Sequence, residues 1–249
     1  MDLNADMGEG FGPWRMADDD ALMGVITSAS IACGFHAGDP RTMAAAVGAA
    51  AAKGVNIGAH VSYPDLVGFG RRPMSLSPAE VLTDTLYQIG ALAGIAARCG
   101  AAVRYVKPHG ALYHAVSASD GLGEALVEAI ACWPSPLALM VPAGSAAAAA
   151  ARRSGVQVVA ECFADRAYRP DGSLVPRGQE GAVIGAEPDV LRQGLSLARN
   201  GTVVATDGST ITVPADTICV HGDTPGALSF ASLLRRELES ERIEVQAFR

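Results

Sequence analysis

Seven short apolar runs, each followed by a longer amphipathic stretch, alternate along this chain of 249 residues. The runs cover 2–4, 29–33, 56–59, 103–106, 137–141, 156–162 and 217–220. Helical patterns lie between them at 18–26, 40–53, 78–98, 120–131, 144–153 and 188–200, with a last one at 225–240. Regular alternation of strand and helix permits few architectures, because each strand is buried on both faces and consecutive strands must lie parallel. Helix boundaries carry their own signals. Asp39-Pro40, Ser77-Pro78 and Thr224-Pro225 place a capping residue before a proline at the first helical position. Gly54, Gly100, Gly155 and Gly201 follow helix ends.

A barrel fits this pattern better than an open sheet. No G-x-G-x-x-G follows the first run, and polar clusters recur after most strands rather than at one switch point. The expectation is a single α/β domain over residues 1–249, a seven-unit (β/α) barrel with its site at the C-terminal strand ends. Two stretches depart from the repeat. Residues 163–182 form a long polar connection, of the kind that often serves as a lid or binding loop. Asp207-Gly208 between β-prone runs at 202–206 and 210–213 predicts a hairpin. A short final strand is expected at 243–248.

Composition excludes several classes. Net charge is −7 and no basic run exists, so a nucleic-acid partner is not expected. No apolar stretch approaches the ~20 residues of a membrane-spanning helix. Five cysteines, without a C-x-x-C pair or a secretory signal, lead to the expectation of a reduced, cytoplasmic protein.

Four of the five histidines directly follow apolar runs and sit in tight turns: His36, His60, His109 and His221. A lone histidine after a strand is usually structural. Four at equivalent places in a repeated unit imply one shared pocket. Around them lie chemistry-bearing clusters. Asn4, Asp6 and Glu9 surround the first turn, where a carboxylate can act as a base or ligate a metal. Arg71 and Arg72 adjoin Gly68 and Gly70, a setting for an anion; the competing reading is a solvated basic turn. Lys107 leaves an apolar run beside His109, so an oxyanion-stabilising charge stands next to a proton carrier. Asp165 and Arg166 open the long loop, and His221 with Asp223 closes the last strand; surface pairing and helix capping are the simpler readings of these. His114 reads as a surface residue.

Taken in order, DLNADMGEGFG, IACGFHAGDP, GAHVSYPDLVGFGRR, VKPHGALY, ECFADRAY and VHGDTPGA resemble the LamB/YcsF family, from Asp2 to about Ala227. The resemblance implies a distorted seven-stranded barrel like that of glycoside hydrolases and polysaccharide deacetylases. It implies the A component of an ATP-dependent 5-oxoprolinase, a hydrolase that opens the lactam of 5-oxo-L-proline to L-glutamate. ATP with Mg2+ and partner subunits B and C follow from that resemblance. Ser30, Val61 and His114 depart from the family's usual residues, and Ser30 is expected to lack a hydrogen bond behind His36.

On this reading Asp6, Lys107 and His109 are catalytic. Asn4, Glu9, Arg71, Arg72, Asp165, Arg166, His221 and Asp223 contact substrate or an anion. Two other readings remain open. One is a stand-alone metal-dependent deacetylase or amidohydrolase with a divalent ion on Asp6, His36 and His60. The other is a non-catalytic lactam-binding component.

Overall fold

A computed structural model describes residues 1–16, 18–220 and 227–249. Seven parallel strands close into a barrel: β1 (Asp2–Met7), β2 (Ser28–Ala32), β3 (Asn56–Val61), β4 (Val103–Pro108), β5 (Ala138–Val141), β6 (Val158–Phe163) and β9 (Thr217–Cys219). β9 lies between β6 and β1, which completes the ring. All seven expected strands form. The predicted hairpin is β7 (Thr202–Val204) with β8 (Thr210–Thr212), antiparallel and outside the barrel. Its position on the chain lengthens the connection to β9.

Helices pack around the barrel: α1 (Asp19–Leu22), α2 (Pro40–Lys53), α3 (Pro78–Arg98), α4 (Gly110–Ala118), α5 (Asp120–Ala131), α6 (Ala146–Arg153), α7 (Glu187–Asn200) and α8 (Ala227–Ser240). Caps set their starts. The Asp39 carboxylate accepts from the N–H groups of Arg41 and Thr42 before α2, and Ser77 and Glu80 form a capping box before α3. No helix among the described residues is long and apolar enough to cross a membrane.

Period-two alternation sorts each strand's side chains. Leu3, Ala5, Met7, Ile31, Val61 and Leu139 face outward into the helix layer and form the main core. Inside the barrel the apolar filling is smaller and sits low: Tyr105, Ala138, Met140 and Val159, with Phe248 packed beneath. The Tyr105 ring crosses the interior because Gly58 faces it on β3. A Cβ at Gly58 would lie 2.2 Å from the Tyr105 ring. The Tyr105 hydroxyl meets the Ser30 hydroxyl at 3.1 Å. Ser30 therefore serves the barrel interior, not the back of His36.

Three sequence expectations are corrected. The 18–26 helix is only one turn long, and its chain continues through Met23 and Gly24 into turns. Residues 110–118 form a helix that the sequence pattern did not predict. Residues 243–248 form no strand. They run under the barrel, where the Met1 amino group donates to Glu244 O and Gln246 N–H donates to Met1 O. Phe248 meets Tyr105 edge-on at 5.4 Å. No strand edge remains in the closed ring for this tail to join.

Candidate active site

β1 carries Asp2, Asn4 and Asp6 on its inward face, so a polar column runs up one wall of the barrel. Asp2 accepts from the hydroxyls of Thr27, Ser28 and Thr217. Thr217 in turn accepts from Asn4 Nδ2 at 2.9 Å. Asn4 Oδ1 accepts from Lys107 Nζ at 3.0 Å. Each of these buried polar groups thus hands its partner to the next layer.

Lys107, on β4 and 2% exposed, is the hub of the upper layer. Its Nζ lies 2.8 Å from Asp6 Oδ1 and 2.7 Å from Glu161 Oε1, with Cys219 Sγ at 3.3 Å. Burial opposes the ammonium charge, but Asp6 and Glu161 outweigh it and hold Lys107 protonated well above its ordinary range. Burial pushes the Cys219 thiol well up despite Lys107, so the sulfur is not a thiolate nucleophile. Asn4, expected to touch substrate, is instead fully buried behind Lys107 and positions it.

Beside this hub, Glu9, His36, His60 and His109 gather so that one donor atom from each lies within 4.8 Å of the others. The turns after β1 and β2 are stitched together by Gly38 N–H donating to Gly10 O at 2.9 Å, which brings Glu9 against His36. His36 Nε2 lies 3.0 Å from Glu9 Oε1. His60 directs Nδ1 at Lys107 O (3.1 Å) and Nε2 at Asp6 Oδ2 (3.3 Å). His109 directs Nε2 at Phe69 O (2.9 Å) and Nδ1 at His60 Nε2 (3.0 Å). Burial first, then the neighbouring imidazoles, keep His36 and His109 well below the usual histidine range and therefore neutral. Neutral imidazoles and a carboxylate converging on one point could hold a metal ion. Glu9, read from sequence as a substrate or anion contact, is instead a carboxylate among these imidazoles.

The segment from Gly68 to Arg72 roofs the cluster. Gly70 has φ +64°, and a Cβ there would stand 2.8 Å from both His109 and His36, so only glycine lets the backbone close over the rings. The turn is no anion cradle. Gly68 N–H donates to the Asp65 carboxylate, and Gly70 N–H to Asp65 O. Arg72 folds back onto Asp65 and stays on the surface. Arg71 alone of the pair reaches the pocket, its guanidinium stacked 5.0 Å from the Phe69 ring.

A cavity of about 490 Å³ opens above Lys107, with Asp6, His60 and His109 in its floor. Its mouth is cationic. Arg71, His114, Arg166 and Arg177 line it, together with Tyr113 and Phe163. The long loop after β6 supplies Arg166 and Arg177, as its length implied. Arg166 is 3% exposed and held by the carbonyls of Val175 and Ala182. Arg177 Nη2 is buried without a hydrogen-bond partner among the described residues. His114 is exposed, as expected from sequence, and also borders the cavity mouth, where burial of its ring, then Arg166 and Arg177, lower its basicity. Burial and Glu161 push the Tyr113 phenol far up, leaving a neutral O–H donor at the cavity wall.

Asp165 is fully buried and lies outside the cavity lining. The expected contacts His221 and Asp223, and the Thr224-Pro225 cap, lie outside the described residues. Sequence reasoning misses Tyr113, Glu161 and Arg177 as site residues. Glu161 has a signal, since it is an acid inside an apolar run. Arg177 has none, because its place depends on the path of the loop.

Comparison with known proteins agrees with this architecture. A 5-oxoprolinase A-subunit of Agrobacterium fabrum is 50% identical over 248 residues, spanning 100% of this chain and 97% of the relative. The corresponding 5-oxoprolinase A-subunit of Streptomyces griseus is 51% identical over 100% of this chain and 99% of its own. The crystal structure of the lactam utilization protein from Thermus thermophilus superposes with a TM-score of 0.94 at 42% identity, covering 100% and 99% of the two chains. The family model for LamB/YcsF matches residues 1–249, and the chain belongs to the LamB/YcsF family.

Proposed function

We propose that this chain is the A component of an ATP-dependent 5-oxoprolinase and that its barrel opens the lactam ring of 5-oxo-L-proline to give L-glutamate. The observation that carries this reading is the cavity itself. A floor with an ion-paired ammonium, a carboxylate and a neutral imidazole lies under a mouth of arginines. The ligand that fits has a negative carboxylate at one end and an amide to be hydrolysed at the other. The names of the half-identical relatives, which this chain spans end to end, support the same assignment.

A lactam is a weak electrophile, and its ring nitrogen is a poor leaving group. Phosphorylation of the lactam oxygen by ATP converts it to an activated imidate. Water then adds to the ring carbon, the carbon–nitrogen bond breaks, and a further water releases phosphate, leaving glutamate and ADP. In this scheme Asp6 takes the proton from water and, once protonated, returns it to the departing nitrogen, with neutral His109 beside it in the cavity wall. Tyr113 donates to the oxygen as charge develops on it. Arg71, Arg166 and Arg177 hold the substrate carboxylate or the phosphate.

Among the described residues of the cavity floor, the Asp6 carboxylate is a poor neighbour for a triphosphate. Lys107 is already shared between Asp6 and Glu161. The chain also lacks a glycine-rich phosphate loop ending in Gly-Lys-Ser or Gly-Lys-Thr. Phosphorylation is therefore assigned to partner subunits B and C. The histidine cluster favours a second reading, metal-assisted amide hydrolysis without ATP. Glutamate release from 5-oxoproline separates the two. It should need ATP and the B and C subunits, and vanish when this chain is left out. Release by this chain alone, without ATP, establishes the second reading. A complex that turns over equally well without this chain makes it a non-catalytic component.

A further inference from the structure

Two ring nitrogens in this site face each other with no proton left to share between them. His109 Nε2 points at the carbonyl of Phe69, and His60 Nδ1 at the carbonyl of Lys107. A carbonyl only accepts, so those two nitrogens carry the ring protons. The opposite nitrogens, His60 Nε2 and His109 Nδ1, are then bare lone pairs, and they stand 3.0 Å apart. Something positive belongs between them.

A single proton on His60 Nε2 serves His109 Nδ1 and Asp6 Oδ2, which lies 3.3 Å away, but neither Glu9 nor His36. Glu9 Oε1, 3.8 Å from His60 Nε2 and 3.5 Å from His109 Nδ1, would then balance the imidazolium by charge without a hydrogen bond from either ring. The proton also places an imidazolium against His36, whose ring stacks on His109 at 3.9 Å and 9°. A metal ion can draw on all four donors once the stacked His36 and His109 rings tilt to aim at one point. Ligands ~2.0–2.1 Å from a tetrahedral zinc stand ~3.3 Å from one another. Four of the six separations, 3.0, 3.0, 3.5 and 3.8 Å, straddle that spacing, and all six lie within 4.8 Å, so the donors furthest apart each need to draw in by about an ångström at most. The two carbonyl acceptors are the outer partners that fix the tautomer of metal-binding histidines.

We infer that Glu9, His36, His60 and His109 form a binding site for one divalent transition-metal ion of the zinc class, at the edge of the cavity floor. Three imidazole nitrogens and one carboxylate suit zinc, cobalt or manganese and not the all-oxygen preference of magnesium or calcium. The ligand set differs from the Asp6, His36 and His60 expected from sequence. Asp6 is committed to Lys107, and Glu9 takes its place. The site stands whether or not the substrate is a lactam.

The test uses the full chain, purified without a histidine tag, stripped with a chelator and titrated with Zn2+ and Co2+. Calorimetry and metal analysis should find one ion per chain, cobalt should give the visible absorption of a low-coordinate site, and the melting temperature should rise with metal. Mg2+ should do none of this. Loss of an outer partner alone weakens metal sites by ~10–100-fold, so Glu9→Gln and His60→Gln should each weaken binding by at least ~100-fold. His114→Ala should bind as the parent does. Circular dichroism of the metal-free variants establishes that they are folded. Failure of the folded parent to bind either ion above the level of a His36→Gln/His60→Gln/His109→Gln variant overturns the inference. So does unchanged affinity in folded Glu9→Gln and His60→Gln. Neither result bears on ATP-dependent glutamate release, which is measured separately in the complex.

Discussion

Asp2 and Asp6 lie on the same face of the same strand, two pleats apart, and their surroundings differ completely. Asp2 is ringed by the hydroxyls of Thr27, Ser28 and Thr217, which are neutral donors from the strands and turns flanking β1. Burial raises its affinity for a proton. Asp6 meets the Lys107 ammonium and faces His60, and it borders a cavity open to ligand. The comparison shows how a barrel divides its labour along one strand. The lower carboxylate joins strands and lies buried at the end of the barrel where the C-terminal tail passes. The upper one is held by charge and left accessible.

The largest effect that separates the two ends should come from Lys107→Met. It leaves Asp6 and Glu161 buried without their shared cation, and breaking a buried pair in this way costs about 3–5 kcal/mol. Urea denaturation should show that loss, and turnover in the complex should fall at least ~100-fold. A variant as stable as the parent would mean the upper layer is not held by this cation.

Acidity should act on the two ends with opposite signs. His36 and His109 stay neutral in the folded chain, while the unfolded chain protonates them below about pH 6.5. The unfolded state then binds more protons, so the metal-free protein should lose stability as pH falls below that value. The slope is ~1.4 kcal/mol per pH unit for each histidine. Asp2 has a raised value, so its contribution is present at low pH and is lost as pH rises from 3.8 through its folded value. Denaturation midpoints measured against pH should show the first slope flattened in a His36→Gln/His109→Gln variant and the second removed in Asp2→Asn.

The smallest effects belong to the rim. Arg177→Ala should raise the KM for 5-oxoproline by ~10-fold at nearly unchanged kcat, as expected for one charged hydrogen bond. Arg72→Ala, which removes an exposed guanidinium from buried Asp65 outside the cavity, should leave KM within ~2-fold. Equal effects of the two would place the anion at the Gly68–Arg72 turn after all.

The barrel was legible because each strand is an apolar run ended by glycine or a polar turn, and because prolines and caps mark α2 and α3. Helix α4 was not legible. Ser119 ends it and at once caps α5, so no glycine or proline separates the two. The tail at 243–248 has a strand-like pattern, but strand status needs a free edge, and the closed ring offers none. In the site, recurrence of histidine at strand ends correctly placed His36, His60 and His109 together. Which carboxylate meets which base was not readable. That depends on how the turns after β1 and β2 are stitched and on the Gly68–Arg72 segment folding back over His109, both long-range facts.

The most direct measurement is ATP-dependent glutamate release by complexes carrying Asp6→Asn or Asp2→Asn, with each variant chain also unfolded in urea. Asp6→Asn should lose at least ~100-fold in turnover and keep most of its stability. Asp2→Asn should keep turnover within ~5-fold and lose ~1–3 kcal/mol, the cost of unsatisfied buried hydroxyl donors. Full turnover in the Asp6→Asn complex would contradict the account.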